Sequence, residues 1–205
     1  ITGTGGGILI QDFVITYLRS VIFTNNFATY GGAIYGISTF STDASDCFFR
    51  NNSATYSGGA LILGENSYSI FQTCYFTNNT ASTGGGIETQ ENSFTIFNDC
   101  IVSDNIASEN GGGLALSDSS TLTSNRSIFS HNQAIQGAGV YISENGNFID
   151  TNSTFLANIA QETGGGMKFA GGSIYLRGVN FEGNTATIGG GIFINYGENI
   201  PLRSE

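Results

Sequence analysis

The chain has 205 residues, 40% hydrophobic and only 11% charged, with 30 Gly, one Pro and no Trp. Six Lys and Arg stand against 16 Asp and Glu, a net charge of −10, which argues against a nucleic-acid partner because phosphate backbones are gripped by Lys and Arg. No run of 18 apolar residues occurs, so no direct membrane insertion is expected, and the lack of Ala/Leu/Glu/Lys stretches argues against long helices.

Read in chain order, one phrase keeps returning. A truncated copy opens with Gly5-Gly6-Gly7-Ile8, followed by FTNNFATYGGAI (23–34), FRNNSATYSGGAL (49–61) and FTNNTASTGGGI (76–87). Later copies end in GGGL (111–114), GAGV (137–140), GGGM (164–167) and GGGI (189–192). The Asn closing each FxxN falls at Asn26, Asn52, Asn79, Asn105, Asn132, Asn158 and Asn184, at steps of 26 or 27. Three residues earlier stand Phe23, Phe49, Phe76, Val102, Phe129, Phe155 and Phe181; two later comes Ala in every copy.

A period near 26 without helical patterning predicts a β-solenoid. Short apolar runs such as LIL (61–63), VYI (140–142), SIYL (173–176) and IFI (192–194) read as strands between turns. The expected fold is all-β: a parallel β-helix of about eight coils with three short strands each, stacked at about 4.8 Å. Residues 1–205 read as a single such segment, part of a longer chain or of a stacked assembly. Inward Asn side chains at equal positions would form an amide ladder, and the Phe column an apolar stack. One finer pattern stands out: alternate coils carry an extra residue before the glycines, near Ser57, Asn110 and Thr163.

The FxxN and GGA(I/L/V) phrases resemble the repeats of the polymorphic outer-membrane proteins of chlamydiae, surface-displayed adhesins. The resemblance runs from about Gly5 to Ile194, with Gly replacing the Ala of GGA in five copies. It implies a right-handed β-helix and a secreted or cell-surface location.

Four columns are candidates for more than packing. Cys47, Cys74 and Cys100 share one inward column, where three readings are open: three buried thiols, one bridge between neighbouring coils, or a metal or reactive site. Asp12, Glu65, Glu91, Asp118 and Glu144 share a turn column, read as a solvated turn bonding its own backbone or as weak Ca²⁺ sites, the one cofactor considered. Ile22, Phe48, Tyr75, Ile101 and Ile128 form an outward strip suited to a partner. Asn51, Asn78, Asn125 and Asn152 begin N-x-Ser/Thr triplets, with Asn51 and Asn78 at outward turns where a glycan fits.

No catalytic residue is assigned. The one His, His131, reads as an exposed turn residue. Asp43, Asp46, Asp99 and Arg126 fall near one corner in no arrangement that suits hydrolysis. The expected function is that of an extracellular or cell-surface structural solenoid, presenting lateral surfaces to protein or glycan partners. The alternative is a subunit self-associating end to end into an extracellular fibre, with or without glycans, since the chain begins mid-repeat and stops in NIPLRSE. A polysaccharide-acting enzyme is the third reading.

Overall fold

A computed structural model describes residues 3–143 and 145–195. Among them every regular element is a strand, and all pairing is parallel, in four sheets of eight, seven, seven and six strands, about seven turns in all. Sheet one holds the strands after the glycines, from Ile8–Gln11 to Ile192–Ile194. Sheet two runs from Ile15–Arg19 to Ser173–Arg177, and sheet three from Ile22–Thr24 to Asn180–Glu182. Sheet four runs from Phe27–Tyr30 to Ile159–Thr163.

Each coil therefore has four strands, not three. The unexpected one is in sheet four. Its only inward side chain is the invariant small residue, buried at Ala28, Ala54, Ala107, Ala134 and Ala160. A strand that buries one methyl per coil shows no apolar alternation, which is the signal by which strands are recognised.

The double Asn of the phrase divides two tasks. The first member turns the chain: Asn25, Asn51, Asn78, Asp104 and His131 adopt left-handed φ of 55–56°, a region that Asn, Asp and His tolerate best among residues with side chains. The second member points inward. Asn105 Nδ2 donates to Asn132 Oδ1 at 3.1 Å and to Phe76 O at 2.9 Å. Its Oδ1 accepts from Asn79 N at 2.9 Å and Asn79 Nδ2 at 3.0 Å. The same side-chain link joins Asn26 through Asn52, Asn79, Asn105, Asn132 and Asn158 to Asn184. Within the ladder both amide hydrogens and both oxygen lone pairs are used, so the amides are buried at little cost.

The rings beside the ladder stack at 4.6–5.0 Å between Phe23 and Phe49, Phe49 and Phe76, Phe129 and Phe155, and Phe155 and Phe181. Sheet two faces them with two inward columns. In the first coils Thr42, Ser69 and Thr95 are polar while Ala44, Phe71 and Phe97 are apolar. From the next coil the columns exchange character: Leu122 and Phe148 carry the apolar bulk, Ser124 and Asp150 the polar groups.

The extra residue of alternate coils is a β-bulge in sheet four. Five-residue strands at Ser53–Ser57, Ile106–Asn110 and Ile159–Thr163 alternate with four-residue ones, and the register shifts at each pairing.

Candidate functional site

Outward side chains of a sheet normally meet solvent, yet the centre of one outward column of sheet one does not. It runs Leu9, Tyr35, Ile62, Glu88, Ala115, Tyr141, Lys168, Phe193. In its centre Ile62, Glu88 and Ala115 are only 1%, 8% and 3% exposed. Walls account for this. The ends of two sheet-four strands, at Thr83 and Asn110, stand on one side, and Ser117 and Ser143 on the other. With Glu88, Ala115, Leu116 and Tyr141 they line a cavity of about 230 Å³. Ala115 is the reason for the space: it is the small residue between Glu88 and Tyr141 in the column, and its methyl leaves a notch.

The chemistry of this groove is specific. Glu88 Oε2 has no hydrogen-bond partner. Burial raises the carboxyl to about 7; the Ser57 hydroxyl opposes the shift, and Asp118 and Glu91 add to it. The Tyr35 phenol is pushed up by burial and then by Glu91 and Glu65. Three coils beyond Glu88, Lys168 Nζ lies 5.6 Å from the Tyr141 ring centroid and 5.8 Å from that of Phe193, and donates to Gln136 Oε1. Gln136 Nε2 in turn donates to Glu162 Oε2 at 2.9 Å. Burial lowers the Lys168 pKa.

Beside the groove runs the acidic turn column. Asp12, Glu65, Glu91 and Asp118 all have left-handed φ, between 50° and 56°; Glu144 lies outside the described residues. The row is held in more than one way: the Ser117 hydroxyl donates to Asp118 Oδ2 at 3.3 Å within its own turn, whereas Glu65 reaches the preceding coil. Glu65 Oε2 accepts from Ser38 N at 2.8 Å and Ser38 Oγ at 3.1 Å. Glu91, Asn92, Asp118, Ser119 and Asn145 line an open hollow of about 580 Å³. No group of three or more His, Cys, Asp or Glu among the described residues is placed to hold a metal ion.

The other columns lie elsewhere. Ile22, Phe48, Tyr75, Ile101 and Ile128 point outward from sheet three. Ile22, Phe48 and Ile128 are exposed, and the rings of Phe48 and Tyr75 stack at 4.7 Å. Cys47, Cys74 and Cys100 are buried free thiols; their sulfurs donate to backbone carbonyls, as from Cys100 Sγ to Phe71 O at 3.4 Å. Asn51, Asn78 and Asn152 stand exposed at left-handed turns, and Asn125 ends a sheet-two strand half-buried. The corner acids do not converge: Asp43 pairs with Arg19 at 2.8 Å, and Asp99 binds Arg126 through both oxygens at 2.8 and 2.7 Å.

A family model described as "Right handed beta helix region" matches residues 1–155. The chain belongs to the right-handed β-helix family. No curated protein and no solved structure matches it at a significant level. The β-helix thus has its groove on the outer face of sheet one, whereas the columns singled out in the sequence lie on its turns, its core and sheet three. Glu88, Ala115, Tyr141 and Lys168 were missed there, although a signal existed. They occupy one position, the residue after the apolar one that follows the glycines, and an acid and the one Lys interrupt an otherwise apolar column.

Proposed function

We propose that this β-helix is an extracellular or cell-surface structural solenoid that binds an extended polymer along the outer face of sheet one, without chemistry. The observation that carries the reading is the burial of Ile62, Glu88 and Ala115 on a face that should be wet. A walled floor of this kind, with aromatic ends and a few polar groups, suits a ligand lying across several coils. The likeness of its repeats to those of chlamydial surface adhesins supports display outside the cell. Asp43 and Asp99 are each paired with an arginine, so these corner acids face no common substrate, which favours binding over hydrolysis there.

The test is an array of peptides and glycans probed with the wild-type protein and with Ala115→Phe, which fills the notch. Loss of a wild-type ligand at unchanged melting temperature supports the groove. Unchanged binding of every ligand contradicts it. A second surface is favoured by the Phe48–Tyr75 stack: an apolar strip on sheet three suits a protein partner, and Phe48→Ser would weaken binding there.

A further inference from the structure

We infer that the notch over Ala115 receives the ammonium group of a lysine side chain, carried on an extended segment of a protein partner. This rests on the groove being a binding surface and names its ligand class.

Four observations converge on a slender cation. The Glu88 carboxyl is more than nine-tenths buried, lines the cavity, and leaves Oε2 without a partner. A buried acceptor of this kind is costly until a donor reaches it, and a cationic donor forms the strongest bond. The surroundings repel anions: Glu65, Glu91 and Asp118 stand along one side, and exposed Glu109 and Glu162 lie on the bulged strands of the other. In a chain of net charge −10 that field concentrates cations.

The remaining lining is mixed: Thr83, Asn110, Ser117 and Ser143 form polar walls, and an apolar strip runs between them. Ala115, Leu116 and the Tyr141 ring face the space beside Glu88. A lysine lays its methylene stem on such surface and carries its charge at the tip. An amino group fixed directly to a sugar ring has no stem with which to reach a carboxyl this deep. Tyr141 already holds one ammonium, that of Lys168, near its ring, so an aromatic-bound cation is part of this column's own design.

The experiment measures fluorescence polarisation of a labelled Lys/Ser peptide, a Gln/Ser peptide of equal length and a neutral oligosaccharide. The proteins are wild type, Glu88→Gln, Ala115→Phe and Glu182→Gln, each checked for its melting temperature. Glu88→Gln keeps the shape and removes a buried charge, so it is expected to fold. Glu182 is exposed in sheet three and controls for net charge. The expected result is binding of the lysine peptide alone, weakened about tenfold or more by Glu88→Gln and by Ala115→Phe and unchanged by Glu182→Gln. An equal loss with Glu182→Gln overturns the inference, because attraction is then diffuse. Binding of the Gln/Ser peptide or oligosaccharide, blocked by Ala115→Phe but indifferent to Glu88→Gln, overturns it while leaving the groove intact. Lysine-peptide binding indifferent to Ala115→Phe removes both.

Discussion

Phe97 of sheet two lies on Phe76 of sheet three, ring centroids 5.6 Å apart and planes 14° from parallel. It enters at the coil in which the phenylalanine column is interrupted by Val102, and so continues the stack from the facing sheet. Restoring the repeat's own residue with Val102→Phe is therefore expected to destabilise the fold, by about 1–3 kcal/mol, because the added ring competes with Phe97. Thermal melting checks this; a variant as stable as wild type would mean that the space is not filled.

The ladder makes a second prediction. Asn105→Ala removes the four side-chain hydrogen bonds that join Asn105 to Asn79, Phe76 and Asn132. Buried groups left unpaired cost about 1–3 kcal/mol each, so a loss of about 3 kcal/mol or more is expected in denaturant unfolding. A loss below about 1 kcal/mol would mean that the ladder is incidental.

Two buried carboxyls set the pH dependence. Burial raises Asp150 to about 6 and Glu88 to about 7, from ordinary values of 3.8 and 4.5. A carboxyl raised on folding stabilises while protonated. Its contribution is complete below the ordinary value and is lost as pH rises through the folded one. Each shift corresponds to about 3 kcal/mol. The melting temperature is expected to fall as pH rises from about 4 to about 7. Asp150→Asn should flatten the part of the fall between about pH 4 and pH 6, since Asp150 is fully buried and its oxygens lack partners. A profile unchanged by Asp150→Asn would contradict this assignment.

The thiols give a simple count. Cys47, Cys74 and Cys100 are buried and free, and burial pushes the Cys100 thiol well up. A thiol reagent is expected to find none in the native protein and three in denaturant. Fewer than three after denaturation would reveal a bridge.

Much of the fold is written in the chain because stacking makes equal positions meet. The Asn, Phe and Ala columns and the period can be read without coordinates, since each obeys a steric or hydrogen-bond demand that recurs in every coil. The fourth strand is not legible, because one inward Ala carries too little apolar signal. The exchange of polar and apolar columns between Thr95–Phe97 and Leu122–Ser124 is equally hidden: each strand alone looks like ordinary alternation. The groove is the least legible. Glu88 is an outward residue by strand parity, and the walls at Thr83 and Asn110 and at Ser117 and Ser143 bury it. The bulges were visible as an alternating extra residue near Ser57, Asn110 and Thr163, but nothing in that spacing says which face they border.

The most direct measurement is a carboxyl titration of Glu88 by carbon-detected nuclear magnetic resonance, with Glu88→Gln used for assignment. A midpoint at about 7 is expected if the carboxyl lies under the walls of the groove, next to Asp118 and Glu91. A midpoint at the ordinary 4.5 would place the side chain in water, and the groove would then have no buried floor on which to seat a ligand.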